Sequence, residues 1–301
     1  MSRIHEALKR AEQERTVGTP GQKNEGPTER RAISSTMGTA APPLSNVSQP
    51  VAGPMKFDEL WAKCTRREWI PDPKLIVFGT TNSFLPGAEQ FRTLRSRLYR
   101  MRETQPLQTI LISSAIPAEG KTVVSANLAY ALVRQQGCRV LLIDADLRSP
   151  RVHTLLGTPA APGMADYLQN TATEFEVTQR SNEEGFCFIP AGNHVTHPSE
   201  LISSDRMKQF LDRVKPAFDW IIIDSPPALP VADASVLGGL VDGVLFVVRA
   251  NSTPSAASQK ACKELRDAHI LGVVLNSAEE SSGYNSYYAG GYGSASYGRK
   301  K

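Results

Sequence analysis

Residues 109–122 read TILISSAIPAEGKT, and this stretch decides the fold class. Its first six residues form an apolar run that is typical of a strand buried on both faces of a sheet. The Gly-Lys-Thr that follows opens a helical pattern, which we predict over residues 121–135. A turn ending in Gly-Lys-Thr between a buried strand and a helix is the arrangement of a phosphate-binding P-loop. The stretch therefore predicts an α/β protein that binds phosphate groups.

Four further apolar runs have the same character: VLLIDAD at 140–146, WIIIDSPP at 220–227, VLFVVRA at 244–250 and ILGVVLN at 270–276. Helical patterns lie between them, one of them before WIIID and another after VVRA. This alternation predicts a mostly parallel sheet with helices on both faces. Ligands of such sheets bind at the carboxyl ends of the strands, so we expect the functional residues there.

The composition divides the chain into three parts. Residues 1–56 combine an amphipathic helical pattern at 2–14 with a stretch rich in Gly, Pro, Ser and Thr, which we interpret as a disordered linker. Residues 57–280 carry the strand–helix alternation and form the predicted P-loop domain. Residues 281–301, SSGYNSYYAGGYGSASYGRKK, contain almost no aliphatic side chain. We predict that this last part is a flexible tail.

Composition also narrows the classes of function. The 301 residues are 41% hydrophobic and 21% charged, which is ordinary for a globular protein. A formal net charge of +4 is weak for this length, so no nucleic-acid partner is expected. No run approaches the ~18 apolar residues that span a bilayer, and the charged start has no secretory signal. The four scattered cysteines fit a reducing cytoplasm better than a disulfide framework or a zinc site.

The loop after the first strand is the predicted nucleotide site. Gly120 lets the backbone approach a phosphate, and Lys121 places a positive charge against the β- and γ-phosphates. Thr122 offers a hydroxyl to Mg²⁺, and the helix amino terminus adds partial positive charge. Two residues depart from the GxxxxGK[ST] pattern, since Ala115 replaces the first glycine and Pro117 lacks an amide donor. Neither departure affects the Lys-Thr chemistry.

Three acidic residues end strands that we expect beside this loop. Asp144 and Asp146 follow VLLI, where they can hold magnesium through water and accept a hydroxyl proton. Arg148 comes next and can meet phosphate oxygens. Asp224 follows WIII. In a P-loop protein this is the usual place for a residue that binds magnesium directly or contacts one of its ligands. The alternative for Asp144 and Asp146 is simple capping of a loop. We expect Lys121 and Asp144 to lie at a solvent-facing site, so that replacing either side chain should cost little packing.

In this order, the motifs resemble those of the bacterial tyrosine kinases of polysaccharide export. SAIPAEGKT resembles the Walker A motif of that family, LLIDADLRSP its Walker A′ motif and IIIDSPP its Walker B motif. Glu89, Arg92 and Arg95, in EQFRTLR, resemble its subunit-contact motif, and their i, i+3, i+6 spacing predicts one side of a helix. IPAGNHVTHPSELISS and the tyrosine-rich tail complete a resemblance that covers about residue 73 to the end. The opening SRIHEALKRAE is also similar to family members from exopolysaccharide loci.

The resemblance implies ATP and Mg²⁺ as cofactors and a role for each matching residue. The implied catalytic residues are Lys121, Asp144, Asp146 and Asp224. The implied metal ligands are Thr122, Asp146 and Asp224. The implied nucleotide-binding residues are Ala118, Glu119, Gly120, Lys121, Thr122, Val123, Arg148 and Asn276. Among these, Asn276 holds the position at which related ATPases read adenine.

The resemblance also implies partners and a location. Subunits would form a ring-like homo-oligomer and phosphorylate one another in trans. A separate membrane-embedded activator of polysaccharide chain length and export would dock on the kinase, since this chain shows no span of its own. A cognate tyrosine phosphatase would reverse the modification. The protein would then be cytoplasmic and peripheral to the inner face of the cell membrane.

The tail supplies the acceptors that a kinase needs. Five of the eight tyrosines lie there, namely Tyr284, Tyr287, Tyr288, Tyr292 and Tyr297. A tyrosine hydroxyl has a pKa near ~10, so it needs a base or a polarising metal to attack phosphorus. We therefore predict tyrosine autophosphorylation. The alternatives are a partition-type ATPase without transfer to protein and a nucleotide-binding regulatory scaffold. Ile116 stands where partition and division-site ATPases carry a lysine, which favours the kinase.

Overall fold

A computed structural model describes residues 53–78 and 86–278. The helical pattern at 2–14, most of the linker and the tail with its five tyrosines lie outside the described residues. The strands are β1 Thr65–Arg66, β2 Thr109–Ser114, β3 Val140–Asp144, β4 Gln179–Arg180, β5 Phe186–Ile189, β6 Trp220–Asp224, β7 Gly243–Arg249 and β8 Ile270–Asn276.

The helices alternate with these strands along most of the chain. They are α1 Phe57–Lys63, α2 Pro86–Thr104, α3 Lys121–Val133, α4 Val152–Leu156, α5 Met164–Leu168, α6 Glu174–Val177, α7 Pro198–Ile202, α8 Asp205–Val214, α9 Asp233–Gly238 and α10 Ser255–Glu264, with a 3₁₀ turn at Lys215–Ala217. In the described part, no helix is both long and apolar enough to cross a membrane.

The strands form one sheet in the order β1-β4-β5-β3-β6-β2-β7-β8. Every neighbouring pair is parallel except β4 with β5. All six residues of β2 are buried, and they divide between two cores. Leu111 packs into the core on one face, whereas Ile110 and Ile112 pack into the core on the other. The prediction of a mostly parallel sheet covered by helices on both faces is therefore confirmed.

Local differences from the prediction have simple reasons. All five predicted strands are present, but β1, β4 and β5 were not predicted. The first two have only two residues each, and the four residues of β5 are too few to show a period. Helix α3 ends at Val133, two residues earlier than predicted.

The sheet order brings the predicted functional residues to one place. Strand β6 lies between β3 and β2 and is parallel to both, so the carboxyl ends of the three strands are neighbours. The P-loop follows β2, Asp144 ends β3, and Asp224 ends β6.

Candidate active site

A cavity of about 710 Å³ opens at this edge of the sheet. Its walls come from the P-loop, from the loop between β3 and α4 and from the prolines that follow β6. The predicted site residues that line it are Ala118, Gly120, Lys121, Thr122, Val123, Asp146 and Arg148. The structure thus brings most of the predicted phosphate and metal residues together around one cavity, whereas the predicted residues Glu119, Asp144, Asp224 and Asn276 are not part of its lining.

The P-loop reaches its shape with left-handed residues late in the loop. Gly120 has φ 92°, and a Cβ atom there would overlap the side-chain amide of Asn276. Ala118 is also left-handed, with φ 66°. Ala115 is buried and is not among the positive-φ residues of the described chain, so alanine fits where the pattern has its first glycine.

Glu119 and Asn276 stabilise the P-loop through hydrogen bonds. Glu119 is almost fully buried, and its Oε2 accepts a hydrogen bond of 2.7 Å from the backbone N–H of Ile116. Its Oε1 accepts a hydrogen bond from the Thr253 hydroxyl. The Asn276 side chain donates to the carbonyl oxygen of Glu119 at 2.9 Å. Both residues were predicted to bind nucleotide, and the contacts seen for their side chains hold the P-loop in shape.

Lys121 and Thr122 lie at the first turn of α3, under the loop. The expectation that Lys121 faces solvent is wrong, because only 7% of its surface is exposed. The Thr122 hydroxyl donates to Oδ2 of Asp224 at 2.8 Å, and the Ser125 hydroxyl donates to Oδ1 of the same carboxylate at 2.9 Å. The start of α3 is therefore fastened to the end of β6.

The two strand-end carboxylates lie side by side. Asp144 and Asp224 are partners in the register of β3 with β6, and both are almost completely buried. Burial, and secondarily the charge of Asp224, raises the pKa of Asp144 well above its usual range. Burial also raises the pKa of Asp224 to about 6, although the positive charge of Lys121 opposes this shift. The pair therefore binds protons more readily than free carboxylates do, and a cation in the cavity beside it would stabilise the ionised forms of both groups.

Asp144 and Asp146 differ in what they face. Oδ1 of Asp144 accepts from the backbone N–H of Asp146 at 3.2 Å, and Oδ2 accepts from that of Val152 at 3.1 Å. Asp144 was expected to face solvent and is instead fully buried, where it shapes the loop after β3. Asp146 lines the cavity and accepts from the backbone N–H of Ser149 at 3.0 Å.

Arg148 lines the cavity and belongs to a hydrogen-bond network with Asp233 and Ser199 that the sequence did not predict. Its Nε donates to Oδ2 of Asp233 at 2.9 Å, and its Nη2 donates to the Ser199 hydroxyl at 2.6 Å. Ser125 was missed as well, although its place three residues after Thr122 on a helix was a usable signal. No local signal connects Arg148 with residues 51 and 85 positions away.

The predicted subunit-contact residues lie on α2, away from the cavity lining. Glu89 and Arg92 form an ion pair of 2.9 Å within the helix. Arg95 donates to the carbonyl oxygen of Ala131 on α3 at 2.7 Å. The predicted helix is present, and the role of these residues in assembly stays a prediction.

Comparisons with known proteins agree with this geometry. The family described as an AAA domain matches residues 108–252. The tyrosine-protein kinase YwqD of Bacillus subtilis is 36% identical over 192 residues, which are 63% of this chain and 81% of YwqD. The succinoglycan biosynthesis transport protein ExoP of Rhizobium meliloti is 34% identical over 68% of this chain, but the chain spans only 26% of ExoP.

A solved structure is also similar over most of this chain. The kinase domain of the Escherichia coli tyrosine kinase ETK superposes with a TM-score of 0.66 and is 30% identical. The match covers 76% of this chain and 89% of that domain. The fold, the P-loop with its paired strand-end carboxylates, and the extent of the match to YwqD lead to one conclusion: this chain belongs to the bacterial tyrosine-protein kinases.

Proposed function

We propose that this protein transfers the γ-phosphoryl group of ATP to tyrosine hydroxyls, and that its own tail tyrosines are among the acceptors. The observation that supports this best is the convergence of Lys121, Asp146 and Arg148 on one cavity beside a buried pair of carboxylates. The positive charges of Lys121 and Arg148 suit the phosphates of ATP, and Asp146, which lines the same cavity, suits an acceptor hydroxyl. The acceptors in the tail are Tyr284, Tyr287, Tyr288, Tyr292 and Tyr297.

The residues present fit a magnesium ion bound together with ATP. Two adjacent buried carboxylates have raised pKa values mainly because burial disfavours their charged forms, and the positive charge of Lys121 lowers only the pKa of Asp224. Thr122, Asp146 and Asp224 would hold the ion. The described residues contain no cluster of three or more His, Cys, Asp or Glu side chains, which suits Mg²⁺ because it usually shares its ligands with phosphates and water. When bound, the ion neutralises developing charge on the phosphates.

The remaining roles follow from burial. The acceptor oxygen attacks the γ-phosphorus, the bond to the bridging oxygen of ADP breaks, and the hydroxyl proton passes to a carboxylate. We assign that carboxylate to Asp146, which lines the cavity. Asp144 is a positioning residue, because the backbone N–H groups of Asp146 and Val152 already occupy its oxygens. Lys121 stabilises the negative charge of the transferred group.

A variant with Phe at all five tail tyrosines tests the choice of acceptor. Incubated with ATP and Mg²⁺, the dephosphorylated wild type is expected to gain phosphotyrosine in its tail, and the variant is expected to lose most of this signal. The variant should still phosphorylate a synthetic peptide of residues 280–301, because the changes leave the cavity intact. Phosphotyrosine blotting and mass spectrometry give the readout.

The same experiment separates the alternatives. A partition-type ATPase would release ADP and inorganic phosphate without phosphotyrosine on the wild type. A nucleotide-binding scaffold would bind ATP and do neither. Either result on wild-type protein would end the kinase proposal.

We further propose that the kinase acts in exopolysaccharide or capsule synthesis and export. The similarity to ExoP, a succinoglycan biosynthesis transport protein, supports this setting. A separate membrane-embedded activator would bring the protein to the inner face of the cell membrane, and a cognate tyrosine phosphatase would reset it. Co-purification of the kinase with membranes only in cells that contain the activator tests this location.

Arg92 and Arg95 are proposed to join subunits in a ring that phosphorylates in trans. The double variant Arg92→Ala with Arg95→Ala is expected to be monomeric but folded, because the Glu89–Arg92 pair within the helix contributes only ~0–1 kcal/mol to stability. Light scattering measures the mass. The matched control changes Arg97 and Arg100, which are exposed on the same helix, to Ala. If wild type is oligomeric, equal masses for all three proteins would refute the role.

A further inference from the structure

Asp233 is a buried carboxylate outside the motifs of the predicted site. It begins α9, and only 2% of its surface is exposed. Burying an ionised carboxylate is costly unless charged or hydroxyl donors surround it. Here Oδ2 accepts from Nε of Arg148 at 2.9 Å, and Oδ1 accepts from the Ser199 hydroxyl at 2.5 Å. The carboxylate is therefore satisfied by two residues from two other parts of the chain.

The three side chains form a closed triangle. Nη2 of Arg148 donates to the Ser199 oxygen at 2.6 Å and makes a longer contact of 3.4 Å with Oδ1 of Asp233. The triangle joins the loop after β3 to the first turns of α7 and α9. It therefore fixes the guanidinium plane of Arg148 from two sides.

One edge of the Arg148 guanidinium group takes no part in the triangle. The triangle uses Nε and Nη2, whereas Nη1 has no protein partner among the described residues. Arg148 also lines the cavity, and 37% of its side chain is exposed. It lies two residues after Asp146, which lines the same cavity. A planar, fixed guanidinium with a free edge is suited to phosphate oxygens.

We propose that Ser199 and Asp233 are positioning residues that hold Arg148 with its free edge toward the terminal phosphate of bound ATP. The inference rests on the proposed function for the identity of the nucleotide. Arg148 would contact the group that ATP has and ADP lacks. The triangle would matter because an unrestrained arginine loses rotamer freedom on binding, whereas one held in place has already lost it.

Selectivity for ATP over ADP is the property to measure. The Kd values of ADP and of the non-hydrolysable analogue with a β,γ-imido bridge are compared by calorimetry with Mg²⁺ present. Ser199→Ala and Asp233→Asn are expected to weaken binding of the analogue about tenfold and to change binding of ADP less than about twofold. Ser199→Thr, which keeps the hydroxyl, should restore binding of the analogue.

Two further proteins make the test specific. Asp219→Asn removes a carboxylate that pairs with Arg139 at the opposite end of β6, roughly 17 Å from the site at 3.3 Å per residue, and should change neither Kd. Arg148→Ala should show the same loss as Asp233→Asn, and combining the two should add little, because both act through one contact. If Asp233→Asn fails to fold, Ser199→Ala and Ser199→Thr carry the test alone.

The outcomes separate the inference from the proposed function. Equal losses for ADP and the analogue, or additive losses in the double variant, would overturn the positioning role. Another outcome is that the variants lose their preference for the analogue over ADP as expected while wild type transfers no phosphate to tyrosine. In that case the positioning role stands and the kinase proposal fails. In an active enzyme, the positioning variants should lower kcat for transfer more than they raise KM for the tyrosine peptide.

Discussion

Lys121→Met is expected to reduce phosphate transfer to tyrosine by about 100- to 1,000-fold, the usual loss when a group aimed at developing charge is removed. Lys121 lines the cavity beside the P-loop backbone, and 7% of its surface is exposed. Methionine has a similar length and an unbranched stem, so little packing is lost. Loss of activity would therefore reflect loss of the charge.

The same variant should also be less stable at neutral pH without nucleotide. The ammonium group of Lys121 is the main positive charge that lowers the pKa of Asp224. Without it, the repulsion between the Asp144 and Asp224 carboxylates is less offset. Phosphotyrosine formation and urea unfolding at pH 7.5 measure the two effects. Lys260→Met, on the exposed side of α10, is the control and should match wild type in both. Normal phosphotyrosine in Lys121→Met would contradict the assignment.

Asp224→Asn is expected to abolish phosphate transfer but, unlike Lys121→Met, to make the protein more stable. Folding raises the pKa of Asp224 to about 6, against an unfolded value near ~3.9. The folded protein therefore binds a proton more tightly than the unfolded chain does. The stability from that proton is complete below about pH 4 and is lost as the pH rises from about 4 to 6. At neutral pH, the ionised carboxylate thus lowers the free energy of unfolding.

Asparagine removes the charge and keeps partners for both hydroxyls. Thr122 and Ser125 donate to the carboxylate, and each hydroxyl can also accept a hydrogen bond from an amide. We expect Asp224→Asn to raise the free energy of unfolding by on the order of 2 kcal/mol at pH 7.5, where about 1.4 kcal/mol corresponds to one unit of pKa. The gain should shrink toward zero near pH 4.

Urea denaturation at several pH values measures this difference. Asp212→Asn, on an exposed position of α8, is the control and should show a small difference at every pH. A lower urea midpoint for Asp224→Asn than for wild type at pH 7.5 would show that the hydrogen bonds of the carboxylate outweigh its desolvation. Opposite changes in stability for Lys121→Met and Asp224→Asn, with transfer lost in both, would establish that the site holds charge at a cost in stability.

The sequence by itself determined the sheet class and the identity of the phosphate loop. Both depend on local patterns, because an apolar run long enough to cross the sheet and a Gly-Lys-Thr turn before a helix can be recognised without distant contacts. TILISS became β2, and the helix begins at Lys121 as predicted. The tail tyrosines could be identified as candidate acceptors because they cluster in a segment with almost no aliphatic residues.

Only the tertiary structure decided how the strand-end residues meet. Similar apolar runs would suit many strand orders, so nothing local placed Asp144 opposite Asp224, 80 residues later. The burial of Lys121 depends on the same packing and was predicted wrongly for that reason. The triangle of Arg148, Ser199 and Asp233 likewise joins one loop to the first turns of two helices, and their contact depends on the tertiary packing. Side-chain charges could be read from the sequence, but their mutual distances, and hence their pKa values, exist only in the folded sheet.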